Sequence, residues 1–263
     1  MSGAGDGPAE RMVSVNGSPC RIWEKGRGEP VFYLAGLAGL PRWTGFLDAL
    51  AEHRRVVAPS LPGFPGGLGH DRLDSPLDWI AATLDLLEAA GMDGADLIGA
   101  SVGGTLAAEV AALAPGLVRR LVLIAPFGLY DESVPPTDVW AQRPGAEAAL
   151  LCHDPAAFEA FVAPPEGADP GEWSIARTRA AEAAARLLWP LADTRLERRL
   201  HRLRAPTLLL WGAADRILAP AYAARFDRAI AGRTEVVVLP GAGHLADLEA
   251  GPAAAAAALR WLS

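Results

Sequence analysis

Short apolar runs that alternate with helical patterns constrain this chain more than any other feature of its sequence. Six such runs, most of them continuously apolar, lie at Val31 to Ala35, Val56 to Ala58, Ala95 to Gly99, Leu121 to Ala125, Thr207 to Trp211 and Glu235 to Leu239. A strand that is apolar throughout is buried on both faces, as in a parallel sheet covered by its crossover helices. The alternation therefore predicts an α/β fold with a mostly parallel sheet and helices on both faces.

The N-terminal region has a different pattern. Two β-type runs, Met12 to Val15 and Cys20 to Trp23, flank the dipeptide Asn16-Gly17, which favours a hairpin turn. These runs predict an antiparallel edge to the sheet, and residues 1–10 before them are predicted to be a flexible tail. The first residues show no basic region followed by an apolar one, so we expect no signal or transit peptide and a cytoplasmic location.

One interval between predicted strands is too long for an ordinary crossover. About 80 residues separate Ala125 from Thr207, whereas a crossover needs only a dozen or so residues including its helix. The interval contains proline-rich stretches and a long helical pattern from Ser174 to Leu188. We therefore predict a helical cap at residues 128–203, inserted into a core formed by residues 11–127 and 204–263.

Composition limits the classes of partner. The net charge of −7 and the pI near 5.3 give no electrostatic reason to expect a nucleic acid or an anionic membrane. No run approaches 18 uninterrupted apolar residues, the length that suggests a transmembrane helix. Cys20 and Cys152 lie far apart and do not form the pattern of a disulfide framework. A small-molecule substrate is the expected partner.

The segment that follows the third buried run carries a nucleophile motif. Gly99-Ala100-Ser101-Val102-Gly103 has the form G-x-S-x-G and lies between a predicted strand and the helical pattern Thr105 to Leu113. In this context the glycines allow the strand and helix to approach closely, while the serine occupies a strained turn with its hydroxyl exposed. The motif predicts that Ser101 is a catalytic nucleophile.

A serine nucleophile needs a base, and the base needs an orienting carboxylate. Asp215 comes shortly after the run that ends at Trp211, and His244 comes shortly after the run that ends at Leu239. Both lie past the carboxyl ends of predicted strands, where α/β sheets build their sites. The chain order Ser, Asp, His is also the order that accompanies this motif. We therefore predict a triad of Ser101, Asp215 and His244.

The segments Pro206 to Pro220 and Val236 to Glu249, together with the elbow at Ser101, resemble the α/β-hydrolase superfamily. The resemblance covers nearly the whole chain outside the cap and implies an α/β-hydrolase fold. It also implies an oxyanion hole formed by the backbone amides of Leu37 and Val102, with no cofactor and no metal. Two positions depart from the family pattern: Ala35 stands where histidine is usual, and Ser60 where aspartate is common.

These features predict hydrolysis of an ester or thioester of an apolar substrate through an acyl-enzyme. Two alternatives remain open. Hydrolysis of a C–C bond, as in the family's meta-cleavage enzymes, is one, although those enzymes commonly have Asn and Trp where this chain has Ala100 and Leu245. A lyase, a cyclase or a ligand receptor on the same fold is the other, because a fold does not determine a function.

Other residues were considered for catalytic or binding roles. Asp131 is a reserve orienting acid, and His153 is a reserve base. The remaining histidines are interpreted as structural or surface residues: His53, His70 and His201. Cys152-His153-Asp154 lacks the ligand spacing of a metal site. Gly241 to Ala246 fits a dinucleotide-binding pattern, but too few residues follow it to complete the required βαβ unit.

The cap has two notable features of composition. Between Arg177 and Arg204 arginines outnumber acidic residues. This excess indicates either a solvated helical face with ion pairs such as Glu182 and Arg186, or a site that binds an anionic substrate such as a carboxylate or a coenzyme A ester. The cap is also rich in aromatic residues, and ligand pockets are lined mainly by apolar and aromatic side chains. We therefore predict that Trp140, Phe161 and Trp189 line an acyl pocket over Ser101.

Overall fold

The structure, a computed structural model, describes residues 7–92, 94–143 and 145–263. Within these ranges eight strands form one sheet in the order β1-β2-β4-β3-β5-β6-β7-β8. Their bounds are β1 Ala9–Val15, β2 Ser18–Lys25, β3 Pro30–Leu34, β4 Arg55–Pro59, β5 Ala95–Ala100, β6 Val118–Ile124, β7 Thr207–Gly212 and β8 Thr234–Leu239. Strands β3 to β8 run parallel to one another, whereas β1 and β2 are antiparallel. The predicted fold class and the antiparallel edge are confirmed.

Helices follow most of the strands. In the described ranges they are α1 Gly45–Ala51, α2 Pro76–Ala90, α3 Ser101–Leu113, α4 Glu147–Leu151, α5 Pro155–Val162, α6 Pro170–Leu188, α7 Glu197–Leu200, α8 Ala221–Ala229, α9 Ala246–Glu249 and α10 Gly251–Leu262. The second of these has a capping box, in which Ser75 and Asp78 satisfy each other's backbone N–H groups. None of these described helices is long and apolar enough to cross a bilayer.

Alternation along the strands creates a core on each face of the sheet. In β3, Phe32 and Leu34 join a cluster that also contains Trp79 of α2. Val31 and Tyr33 join a second cluster on the opposite face, with Phe46 of α1 and the alanines of α10. Successive side chains of a strand point to opposite faces, so a continuously apolar strand serves both clusters at once.

Two sequence expectations about the sheet's edges are corrected. Strand β1 begins at Ala9, so the last two residues of the tail predicted for residues 1–10 belong to the sheet, and residues 1–6 lie outside the described ones. Strand β8 was expected to be buried, but Val236 and Val238 are 39% and 46% exposed. The reason is that β8 ends the sheet beside β7, and at that edge its outer residues remain in contact with solvent.

Four helices, α4 to α7, lie between β6 and β7. The cap predicted at residues 128–203 falls in this interval. Because β6 lies between β5 and β7 in the sheet, the chain leaves for this helical segment between the strand that precedes Ser101 and the strand that precedes Asp215. Both cysteines are free and buried.

Candidate active site

The nucleophile motif forms a sharp turn between β5 and α3. Ser101 has a φ of +52°, which is unusual for a residue with a side chain and marks local backbone strain. A Cβ added to Gly99 would lie 2.5 Å from the carbonyl oxygen of Gly103, and one added to Gly103 would lie 2.3 Å from that of Leu34. Both glycines are therefore required by close backbone packing, as the sequence motif predicts.

The three predicted triad residues meet in one hydrogen-bonded chain. His244 Nε2 lies 2.8 Å from Ser101 Oγ, and His244 Nδ1 lies 2.9 Å from Asp215 Oδ2. Asp215 Oδ1 accepts the backbone N–H groups of Ile217 and Leu218 at 2.8 and 2.9 Å. With the carboxylate accepting from Nδ1–H, the tautomer that follows leaves Nε2 free to accept the serine proton.

The surroundings of His244 include residues that sequence reasoning missed. The ring of Phe127 lies 5.2 Å from the imidazole, centroid to centroid, and is tilted by 47°. Three residues after the histidine, Asp247 accepts a hydrogen bond from the Tyr33 hydroxyl at 2.5 Å. Burial raises the pKa of Asp247, and burial beside that carboxyl raises the pKa of Tyr33 well above its ordinary value. No pattern in the sequence identifies these contacts, because each joins distant segments.

The predicted oxyanion-hole residues lie on either side of the serine, Val102 at the start of α3 and Leu37 on the loop after β3. Val102 is the second residue of α3, and no side chain caps this helix; the N–H of the next residue, Gly103, donates to the carbonyl of Ala35 at 3.1 Å. A Cβ added to Gly36 would lie only 3.1 Å from Ser101 Cβ. The loop that carries Leu37 therefore packs against the nucleophile. This loop is closed by a hydrogen bond from Gly39 N–H to the Gly36 carbonyl at 2.9 Å.

A cavity of about 580 Å³ lies between the cap and the loop that carries Leu37. It is lined mainly by apolar residues, among them Leu37, Pro41, Trp140, Leu151, Phe158, Val162 and Trp173. Ser101 is 1% exposed and is not part of this lining. Two lining residues are next to contacts of the triad segments: Leu37 follows the glycine that packs on Ser101, and the carbonyl of Leu151 accepts the N–H of Leu245, the residue after His244, at 3.0 Å.

Of the three aromatic residues predicted to line the pocket, the structure brings only Trp140 to the cavity. Phe161 is buried in the core cluster and does not border the cavity, because the face of α5 toward the cavity carries Phe158 instead. Trp189 follows the end of α6 and is 58% exposed. It contacts the edge of Trp140 with ring centroids 6.2 Å apart. Phe161 and Trp189, which were predicted to line an acyl pocket, are therefore not part of the wall of this cavity.

The reserve candidates lie outside the triad. Asp131 pairs with Arg225 at 2.9 Å, and the triad carboxylate is Asp215. His153 is exposed, and its backbone N–H donates to Glu249 at 2.9 Å. The dinucleotide interpretation finds no support, because Gly243 packs against the backbone of Cys152 and His153.

Three arginines of the cap form ion pairs that the structure describes. Arg186 contacts Glu182 at 3.2 Å, as the helical spacing predicts. Arg199 forms two hydrogen bonds with the buried Glu109 of α3. Arg177 borders the cavity and contacts Glu147 at 3.4 Å. In the part of the chain that the structure describes, no group of three or more His, Cys, Asp or Glu side chains could hold a metal ion.

Comparison with known proteins agrees with the fold. The sequence profile of the alpha/beta hydrolase family matches residues 19–258. The 2-hydroxy-6-oxo-2,4-heptadienoate hydrolase of Pseudomonas putida is 29% identical over 255 residues, an alignment that covers 91% of each chain.

Solved structures resemble the whole chain. A bacterial membrane phospholipase A has 26% identity and a TM-score of 0.72, covering 97% of this chain and 86% of its own. The 2-hydroxy-6-oxo-6-phenylhexa-2,4-dienoate hydrolase of a Rhodococcus species has 21% identity and a TM-score of 0.75, covering 97% and 98%. The second likeness, at that identity, concerns the fold alone.

Proposed function

Since this chain belongs to the α/β-hydrolase family, we propose that it is a serine hydrolase that cleaves a carboxylic ester or thioester of a small to medium apolar substrate. The observation that carries the proposal is the continuous chain of hydrogen bonds from Ser101 through His244 to Asp215. A serine activated in this way is the common device of acyl transfer. The relatives support hydrolysis as the class of reaction, and the bond that is cleaved is our proposal.

Acylation begins with attack by Ser101 Oγ on the substrate carbonyl carbon, while His244 Nε2 takes the hydroxyl proton. The Val102 and Leu37 amides would hold the oxyanion of the tetrahedral intermediate, and the loss of one such donor typically costs about 2.7–4 kcal/mol in the barrier. When the intermediate collapses, the bond to the leaving oxygen or sulfur breaks and His244 returns the proton to it. The acyl group remains on Ser101.

Deacylation repeats these steps with water. His244 removes a proton from water, whose oxygen attacks the acyl carbon, and the imidazolium then protonates Ser101 Oγ as the acid is released. Asp215 stabilises the imidazolium in both halves of the reaction. Its second oxygen is occupied by the N–H groups of Ile217 and Leu218, so the carboxylate is held in one orientation throughout.

The cavity supports an apolar acyl group. Aromatic and aliphatic side chains supply most of its lining, and its volume of about 580 Å³ falls within the usual range for small-molecule sites, roughly 300–1,000 Å³. The charged groups at its wall are Glu147 and Arg177, which face each other at 3.4 Å. A substrate of moderate size with an apolar acyl chain fits this environment.

Hydrolysis of a C–C bond is a second candidate, favoured by the similarity to the dienoate hydrolase of Pseudomonas putida. Against it, this chain has Ala100 before the nucleophile and Leu245 after the histidine, where enzymes of that class commonly have Asn and Trp. The candidate requires the same serine and base. The two functions therefore differ in the substrate and not in the triad.

The deciding experiment compares two kinds of substrate on the wild-type protein and the Ser101→Ala variant. We expect steady-state release from p-nitrophenyl esters of graded acyl length, loss of release in the variant, and labelling by a fluorophosphonate probe at Ser101 alone. Consumption of 2-hydroxy-6-oxo-2,4-heptadienoate without ester turnover would instead support C–C cleavage. Absence of turnover with both substrates, or labelling at another serine, would overturn the proposal.

A further inference from the structure

The carboxylate of Glu249 binds three backbone N–H groups from two separate parts of the chain. Its Oε2 accepts the N–H of Gly243 at 2.6 Å and that of His153 at 2.9 Å. Its Oε1 accepts the N–H of Asp154 at 2.8 Å. Gly243 immediately precedes the predicted base, whereas His153 and Asp154 belong to the cap, between α4 and α5. One side chain therefore joins the loop of His244 to the cap.

Two further contacts strengthen this junction. The N–H of Leu245, which follows the base, donates to the carbonyl of Leu151 at 3.0 Å. A Cβ on Gly243 would lie 2.8 Å from the backbone nitrogen of His153, so only glycine allows this approach. The residues on both sides of His244 are thus bound to the two sides of the turn between α4 and α5.

The cap side of the junction also forms the cavity wall. Leu151, at the end of α4, and Phe158, on α5, both line the cavity. The side chain of Asp154 caps α5 by accepting the N–H of Ala156 at 3.1 Å, while its own N–H is bound by Glu249. The start of the helix that carries Phe158 is therefore fixed by the same carboxylate that holds the loop of the base.

We propose that Glu249 is a positioning residue that holds the His244 loop in register with the cavity wall of the cap. Asp215 and Phe127 orient the imidazole ring, but neither holds the backbone that carries it. Hydrogen bonds to a charged acceptor are about twice as strong as neutral ones, and here three of them meet on one group. When the cap wall lies correctly against the acyl group, the contacts of Glu249 therefore also hold the loop of His244 in its catalytic position.

This inference rests on the proposed function, and its test begins with two substitutions. Glu249→Leu removes every acceptor, whereas Glu249→Gln keeps one acceptor oxygen and turns the other position into a donor facing N–H groups. We expect kcat for the preferred ester to fall by about 10²-fold in Glu249→Leu, the scale of a 1 Å misplacement, and less in Glu249→Gln. Hydrogen exchange should accelerate at the amides of Gly243, His153 and Asp154.

A double-mutant cycle separates positioning from simple packing. Glu249→Leu is combined with Phe158→Leu, and kcat is measured for all four proteins. Coupling through the carboxylate predicts a clearly non-additive effect on kcat. The matched control is Arg186→Gln, which breaks another contact between cap and body, to Asp74 at 3.4 Å, away from the His244 loop. Its effect should add to that of Phe158→Leu.

The possible results are distinguishable. If the wild-type protein shows no turnover that depends on Ser101, the proposed function fails and the positioning role fails with it. If turnover is present and Glu249→Leu has a wild-type kcat, only the positioning role is overturned. Additive effects in the cycle, with kcat and melting temperature reduced together, would likewise assign Glu249 to packing alone.

Discussion

The parallel sheet and the cap lie on either side of the loop that carries the cavity residue Leu37, but different interactions hold the sheet and the cap in shape. Every residue of β5 and β7 is buried, and backbone pairing fixes the register of each strand with its neighbours. In the cap, the 19-residue helix α6 buries only five side chains, all of them alanine or leucine in its C-terminal half. Backbone hydrogen bonds of the sheet position the strands that precede the triad residues, whereas side-chain contacts supply most of the attachment of the cap to the body.

This difference separates two parts of the expected chemistry. Ser101, Asp215 and His244 follow strands whose spacing is set by the sheet, so the sheet brings the three residues together, and the loop of His244 is also bound to the cap through Glu249. The cap is attached at points, such as Arg199 on Glu109 and Glu249 on the backbone of Asp154. We therefore expect most substitutions in the cap to change substrate preference, and substitutions in the sheet or at the Glu249 junction to change the reaction itself.

The largest effect is expected from the orienting carboxylate in the body. Asp215→Asn should lower kcat by roughly 10³–10⁴-fold, because the imidazole loses the partner that fixes its tautomer and stabilises its charge. Steady-state ester hydrolysis and circular dichroism would measure the activity and the fold. Asp131→Asn, in the cap, is the matched control and should keep near-normal turnover. Normal turnover in Asp215→Asn together with a loss in Asp131→Asn would mean that the orienting acid lies in the cap and not in the body.

The next effect concerns backbone packing at the nucleophile. Gly103→Ala would put a Cβ 2.3 Å from the Leu34 carbonyl oxygen, so β3 or α3 must move. We expect the free energy of unfolding to fall by about 1–3 kcal/mol, as in other overpacked cores, with a loss of activity because Ser101 shifts. Urea unfolding checks this. Gly116→Ala is the control, since no atom lies within 4 Å of its added Cβ. Equal stability of the two variants would contradict the steric account.

A smaller effect is expected from two phenylalanines on α5. Both are buried, but Phe158 lines the cavity and Phe161 does not. Phe158→Leu should alter relative kcat/KM across an acyl-chain series, since a methylene contact is worth about 1–3 kcal/mol. Phe161→Leu should lower the melting temperature and leave the preference unchanged. A change in acyl-chain preference caused by Phe161→Leu would show that the substrate pocket extends past Phe158 to Phe161.

The smallest effect concerns the two buried thiols, one in each region. Burial raises the pKa of Cys20 to about 11. Burial also raises the pKa of Cys152, and the negative charge of the Glu249 carboxylate raises it further. Since the thiolate is the reactive form, reaction with a disulfide reagent at pH 8 should be slow and should accelerate as the pH rises. Labelling followed by mass spectrometry should find Cys152 ahead of Cys20 if the cap opens by itself. Equal rates would indicate that cap and sheet open together.

Sequence alone determined the fold class and the identity of the three triad candidates. Buried strands leave an uninterrupted apolar signal, and the carboxyl ends of parallel strands meet at one edge. Residues just past β5, β7 and β8 were therefore expected to converge, although they lie far apart in the chain. The elbow is local information at Gly99, which packs against the backbone of Gly103, whereas Gly103 is required by the distant carbonyl of Leu34 and is found through the motif.

Only the tertiary structure decided which residues surround that site. Of the aromatic residues predicted for the pocket, Trp140 lines the cavity and Phe161 and Trp189 do not, because aromatic composition does not say which face of a helix turns toward a cavity. The exposure of β8 depends on its place at the sheet's edge, and the role of Glu249 depends on segments 95 residues apart in the chain. Such contacts arise from the packing of one segment on another, which leaves no periodic signal in the sequence of either.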